Sequence, residues 1–348
     1  MLEHGGRRRL AARHYGIPEA KWLDLSTGIN PHGYPVSAIP AEDWQRLPED
    51  DDDLPAVAAA YYGSRRLLAQ SGSQASIQTL PFLLPRGRVA VLAPTYAEHP
   101  QHWQRAGHEV IRFPASALSA IADTVDTVVV CQPNNPDTAR IPTAVLIDAA
   151  ERLQSRGGHL VVDEAFIDAT PDESIISLAG DRLPKLIVFR SLGKFFGLAG
   201  ARVGFVAANT DLLQALREVA GPWPLSRPAR TVASRALADT AWQQTMRLSL
   251  FQSSQRLARL LTPLTGAHTL GVHPLFVWVP TLQAEAIADR LAREGILVRH
   301  FASPDCHGLR FGLPAEPDDW VRLERAANDL RDHAAPVLIA TDSRRMPE

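Results

Sequence analysis

Short runs of aliphatic and β-branched residues alternate along the chain with longer stretches whose apolar positions recur at helical spacing. The runs Arg88–Ala93, Glu109–Phe113, Thr127–Cys131, His159–Val162, Leu186–Arg190 and Arg202–Ala207 read as strands. Between them Ala75–Leu83, Pro100–Gly107, Thr143–Arg156 and Thr210–Val219 read as helices. This alternation predicts an α/β fold with a mostly parallel sheet and helical crossovers. Open sheets of this kind bind ligands beyond the carboxyl ends of their strands, so chemistry is expected in the residues that follow each run.

A proline-dense stretch, Gly221 to Pro228, marks a boundary. Beyond it one long helix is predicted from about Ala229 to Leu261, too polar on one face to span a membrane. A second, smaller α/β unit follows, with strands at Leu275–Val279, Ile296–Phe301 and Leu309–Phe311 and helices at Ala284–Glu294 and Asp318–Asp332. The expected organisation is an N-terminal segment (1–35), a large domain (36–225), a small C-terminal domain (226–334) and a tail (335–348) without periodicity, expected to be disordered.

Composition narrows the setting. The 348 residues are 45% apolar and 21% charged, ordinary for globular protein and enough for two domains. A formal charge of −2 argues against nucleic acid or an anionic membrane as partner. The two cysteines, Cys131 and Cys306, have no metal-ligand spacing, so no metal site is expected and a reducing compartment fits. Met1 to Leu10 is polar and Arg-rich with no apolar core, which argues for the cytoplasm. Lysine is scarce: Lys21, Lys185 and Lys194 are the only ones.

One of these lies in Arg190-Ser-Leu-Gly-Lys-Phe-Phe-Gly-Leu-Ala-Gly-Ala-Arg-Val-Gly204, just beyond a strand end. A lysine in such a crevice loses its proton more readily through desolvation and becomes a nucleophile for an aldehyde. Ser191 and Arg202 supply a hydroxyl and a guanidinium fork suited to one phosphate. Gln70-Ser-Gly-Ser-Gln-Ala75 opens a helix, where free backbone N–H groups bind phosphate. Further segments end strands in the same way: Ala93-Pro-Thr-Tyr96, Cys131-Gln-Pro-Asn-Asn-Pro136 and His159-Leu-Val-Val-Asp-Glu-Ala-Phe166. No G-x-G-x-x-G or Walker-type loop appears.

Taken together these segments resemble the fold-type I, class I/II aminotransferases, over about residues 4 to 333. The resemblance implies the aspartate aminotransferase-like fold, a homodimer, and pyridoxal 5′-phosphate carried covalently on Lys194. It further implies a phosphate cup of Gly72, Ser73, Gln74, Ser191 and Arg202, a stacking aromatic at Tyr96, and Asn135 on the phenolic oxygen of the cofactor. Asp163 would keep the pyridine nitrogen protonated, making the ring an electron sink. In Gly308-Leu-Arg-Phe-Gly-Leu-Pro314, Arg310 resembles the arginine that grips a substrate carboxylate.

The chain also departs from the common pattern. Phe166 stands where the family usually has a hydrogen-bonding tyrosine, and Leu47 where a tyrosine often reaches a neighbouring subunit's phosphate. His4-Gly-Gly-Arg7 and Trp22-Leu-Asp-Leu-Ser-Thr-Gly-Ile-Asn-Pro31 are similar to the cobalamin-synthesis branch, in which L-threonine O-3-phosphate loses CO₂. That likeness implies a small phosphorylated amino-acid substrate, with His4, Arg7, Asn30 and His32 as candidates for its phosphate, His4 and Asn30 first. It also brings in an amide synthase of that pathway as a partner. Two other readings stay open: an aminotransferase of the histidinol-phosphate type, and a non-catalytic partner subunit of a cobalamin-pathway enzyme.

Overall fold

The computed structural model describes residues 4–264, 269–303 and 306–334, with the backbone alone for 332–334. The tail expected from residue 335 lies outside the described residues. Contacts group residues 32–250 into one compact unit, and 4–31 with the described residues from 251 onward into another.

The larger unit is built on a seven-stranded sheet in the order Leu67–Gln70, Gly204–Ala207, Leu186–Ser191, His159–Asp163, Thr127–Cys131, Arg88–Leu92, Glu109–Phe113. All neighbours are parallel except Gly204–Ala207, which runs antiparallel to both of its partners. The three central strands are buried at every position, as a sheet covered on both faces requires. Val129, Val161, Ile187 and Phe189 pack against Leu80, Trp103 and Leu216 from the covering helices.

Local chemistry explains where several elements differ from expectation. The edge strand Leu67–Gln70 alternates half-buried and buried positions over only four residues, too short a signal to read from sequence. Arg202 is not the start of a strand; it adopts a left-handed conformation (φ 53°) and the strand begins at Gly204. The expected helix from 229 to 261 is two, Arg227–Ala238 and Thr240–Leu261. Asp239 interrupts it, because its carboxylate accepts the Trp242 N–H at 3.0 Å and so caps a new helix. The first of these helices groups with the larger unit, where Arg230 donates to Asp50 at 2.9 Å and to Asp52 at 2.6 Å.

The second unit carries a four-stranded antiparallel sheet in the order Arg299–Ser303, Cys306–Gly312, Phe276–Pro280, Gly271–His273. The strand expected over Ile296–Phe301 is split, since Ile296–Leu297 pairs instead with Leu23–Asp24 of the N-terminal segment. A helix that the pattern did not suggest, Arg8–Tyr15, ends at left-handed Gly16 and packs Ala11 with Trp22 and Ala292.

Candidate active site

The central lysine segment turns sharply after the strand Leu186–Ser191. Gly197 N–H donates to the Lys194 carbonyl at 3.1 Å and Leu198 N–H to the Leu192 carbonyl at 3.2 Å, closing a tight loop. Phe195 and Phe196 are fully buried and lie 5.5 and 5.7 Å from the Trp242 ring. Tyr34 N–H donates to the Phe196 carbonyl at 2.8 Å, so the 32–34 segment is pinned to the same loop. Lys194 itself is half-buried, its Nζ 5.4 Å from the centroid of the Phe166 ring.

Gly204 is paired across the sheet with Ser191 on one side and Gln70 on the other, which brings three of the expected phosphate-binding segments together. A Cβ at Gly204 would lie 2.4 Å from the Ser73 nitrogen, and one at Gly72 would lie 2.7 Å from Arg202 Nη2. Glycine is required at Gly204 because backbone at the Ser73 helix start fills the space of a side chain, and at Gly72 because its φ is +76°. The first N–H groups of the helix Ser73–Leu83 have no partner within the helix, and Ser191 Oγ accepts Gly193 N–H at 3.3 Å from the facing turn. The Gln74 side-chain amide is engaged elsewhere. It accepts from Tyr96 O–H at 3.2 Å and donates to Glu98 at 3.1 Å.

Asp163 ends its strand buried, 6% exposed, with one carboxylate oxygen accepting Ala165 N–H at 3.0 Å. Its other oxygen lies 2.9 Å from His99 Nε2. Sequence reasoning missed His99. Its only signal is its place one helical turn after Tyr96, and its partner arrives from a strand far along the chain. Burial alone would lower the His99 pKa, but the neighbouring Cys131 sulfur and the Asp163 carboxylate, as charges and as acceptors, push it up to about 10. His99, Cys131 and Asp163 place ligand-type atoms within 4.8 Å of one another. The 2.9 Å contact is a charge-assisted hydrogen-bond distance, shorter than the roughly 3.3 Å between two ligands of a tetrahedral zinc ion.

Asn135 is half-buried in the turn after the neighbouring strand. Gln132 braces this turn by donating to and accepting from the Ile141 backbone at 2.8 and 3.0 Å. Asn134 reaches across to the adjacent strand end, donating to the Pro94 carbonyl at 2.8 Å and accepting from Thr95 O–H at 3.1 Å. Tyr96 is half-buried in the segment so tied, its ring 6.0 Å from that of His99, and burial raises its phenol pKa.

A buried charge cluster adjoins the lysine segment, also unread in the sequence. Arg190 donates to Glu164 at 3.2 Å and pairs with Asp168, all three essentially inaccessible. Glu164 further accepts from Ser174 at 2.6 Å and Ile175 N–H at 2.9 Å. Burial is the main reason that the Glu164 pKa is raised, opposed by Arg190. Arg247 closes the cluster, donating to the Asp168 carbonyl at 2.9 Å.

The expected substrate residues Arg310, His4 and Asn30 all belong to the other unit. Arg310, buried on the strand Cys306–Gly312, donates to the Ser26 carbonyl at 2.9 Å. Gly6 N–H donates to Ser26 Oγ at 2.7 Å, and a Cβ at Gly5 would lie 2.3 Å from the Ser26 carbonyl oxygen. The backbone next to His4 is thus seated on the residue that Arg310 holds, and Asn30 is buried four residues beyond it.

What the larger unit offers is specific: an amine beyond a strand end, a glycine-lined cradle for a phosphate with one guanidinium, and a buried carboxylate that suits a protonated ring nitrogen. The family model described as aminotransferase class I and II matches residues 21–330, and the chain belongs to that family. Within it, a threonine-phosphate decarboxylase of Pseudomonas aeruginosa is 48% identical over 96% of this chain and 99% of its own length. A threonine-phosphate decarboxylase of Sinorhizobium sp is 40% identical over 86% of this chain and 90% of its own. Among solved structures, the histidinol-phosphate aminotransferase of Sinorhizobium meliloti, in complex with pyridoxal-5′-phosphate, superposes with a TM-score of 0.81 at 22% identity, covering 95% of this chain and 96% of that one. The fold is that of the pyridoxal-phosphate aminotransferases, as the sequence pattern implied.

Proposed function

We propose that the chain decarboxylates L-threonine O-3-phosphate with pyridoxal 5′-phosphate, giving CO₂ and (R)-1-amino-2-propanol O-2-phosphate for cobalamin biosynthesis. The observation that carries this reading is the near full-length likeness to two threonine-phosphate decarboxylases. The residues present fit the cofactor, whose aldehyde, phosphate and pyridine nitrogen correspond to Lys194, the Gly72–Gly204 cradle and Asp163. When bound, it supplies an electron sink for the bond that breaks at the substrate Cα.

The chain's own residues do the rest. Gly72, Ser73, Gln74, Ser191 and Arg202 hold the cofactor phosphate, Tyr96 covers the ring and Asn135 meets its phenolic oxygen. Asp163, backed by His99, holds the ring nitrogen in its protonated form. Lys194 holds the cofactor and later donates a proton to Cα. Arg310 and Asn135 are assigned the substrate carboxylate, His4 and Asn30 its phosphate. Gripping both ends of the substrate would orient the Cα–carboxylate bond for cleavage, a use of binding energy for orientation. A homodimer, a cytoplasmic location and a pathway amide synthase as partner complete the reading. Among the described residues no helix is long and apolar enough to cross a membrane, which accords with it.

Release of labelled CO₂ from carboxyl-labelled threonine phosphate tests the proposal. Accumulation of pyridoxamine phosphate without CO₂, with this substrate or with histidinol phosphate, identifies an aminotransferase instead. Purified protein lacking a visible absorbance band that Lys194→Ala removes identifies a non-catalytic subunit.

A further inference from the structure

Lys194 and Phe166 face each other beyond the ends of two hydrogen-bonded parallel strands, with Nζ 5.4 Å from the ring centroid. Each is held from its own side. Phe166 is buried and follows Asp163 and Glu164, whose carboxylates are bound by His99 and by Ser174 and Arg190. Lys194 precedes the Phe195–Phe196 pair clamped on Trp242. At such a distance an aromatic face attracts an ammonium through its quadrupole and has no comparable hold on a neutral amine. The ring therefore discriminates between the two protonation states of the lysine.

We propose that Phe166 is a positioning residue that favours the charged form of Lys194 and holds its N–H for delivery to the substrate carbon that has lost CO₂. This rests on the decarboxylase reading. In that step the Cα–carboxylate bond breaks, CO₂ leaves, and the electron pair stays with the substrate and cofactor. An N–H proton of Lys194 becomes the new Cα–H, and the lysine is left as the neutral amine. If the proton arrives at the cofactor carbon instead, water releases an aldehyde and the amino group stays behind as pyridoxamine phosphate. The ratio of these two outcomes reports the donor's position. The charged and titratable groups on the surrounding elements include Tyr61, Tyr96, His99, Cys131, Asp163, Glu164, Asp168, Arg190, Arg202 and, across Phe195, Arg247. His99, Asp163, Glu164 and Arg190 are engaged in the contacts described above, while Arg202 and Arg247 donate to the Ala199 and Asp168 carbonyls.

Because the chain has only three lysines, ε-¹³C-lysine NMR of the full-length protein freed of cofactor follows Lys194 directly, with Lys194→Ala assigning its signal. Phe166→Leu keeps an apolar side chain and removes the π face; Phe166→Tyr keeps the ring. The expected result is a Lys194 titration midpoint lower by about 0.5–1.5 pH units in Phe166→Leu. In the loaded enzyme the same variant should form about 2- to 30-fold more pyridoxamine phosphate per CO₂. In the cofactor-free protein Phe166→Tyr, which keeps the ring, leaves the Lys194 midpoint near wild type. A midpoint and a ratio unchanged in Phe166→Leu, or a midpoint moved equally in Phe166→Tyr, overturn the proposal. If the wild type releases no CO₂ the decarboxylase reading fails, while the lysine midpoint still decides whether the ring holds the charge.

Discussion

His99 Nε2 stands 2.9 Å from Asp163 Oδ2, and the helix that carries His99 begins two residues after Tyr96. One turn of chain therefore sets both the aromatic proposed to cover the cofactor ring and the partner of the carboxylate proposed to hold its nitrogen. The same turn reaches the proposed phosphate cup, because Glu98 accepts from Gln74 at 3.1 Å and lies 2.9 Å from His102 Nε2.

Removing His99 should cost the site a charge-assisted hydrogen bond, about 1.5–3 kcal/mol. With His99→Leu, kcat/KM is expected to fall about 10- to 150-fold, and Asp163→Asn should fall further. Steady-state kinetics with a parallel absorbance titration of the cofactor separates lost catalysis from lost binding. A His99→Leu enzyme within twofold of wild type would show that Asp163 needs no support.

Two buried histidines should leave opposite marks on stability against pH. The His99 pKa is raised, so its contribution is complete below about 6.5 and fades as pH rises toward about 10. His159, whose pKa burial and nearby Lys185 lower to about 4, stays neutral in the fold while the unfolded chain gains a proton below about 6.5. Its stabilising effect is present above that pH and is lost as pH falls toward 4. Melting curves of His99→Gln and His159→Gln against wild type should converge at high pH for the first. For the second, the variant should gain on wild type in acid.

Gly204→Ala should weaken cofactor binding by tenfold or more, since its Cβ would press within 2.4 Å of the Ser73 nitrogen and force the cradle apart. Gly200→Ala is the control: a Cβ there meets nothing within 4 Å, and affinity should be unchanged. Fluorescence or absorbance titration with the cofactor reads both.

Arg190→Met should be severe for the fold, leaving Glu164 and Asp168 buried without their cation. A loss of about 3–5 kcal/mol in urea unfolding is expected. Loss under about 1 kcal/mol would mean that the two carboxylates take up protons at little cost.

The parts of the site that could be read from sequence are those written contiguously: a strand, a sharp turn, and the residue just beyond it. Lys194 and Asn135 have this form and Asp163 closes such a strand, and the buried aliphatic runs that lead to these three are unambiguous; the Gly72 cup was legible instead as the start of a helix. What escaped notice are pairs formed between distant segments. His99 acquires meaning only when the sheet order sets the strand ending at Asp163 within reach of its helix. Arg190, Glu164 and Asp168 sit in or beside recognised segments, yet their ion pairs depend on the loop after Asp163 folding back. The break at Asp239 was hidden for a related reason, because one carboxylate capping Trp242 N–H outweighs an otherwise continuous helical pattern.

Asn134 has an evolutionary consequence. By joining the Pro94–Thr95 backbone and side chain to its own turn, it makes two loops inherit as one. Substitutions near Tyr96 and near Asn135 should therefore be epistatic: a change tolerated in one loop will depend on what the other carries.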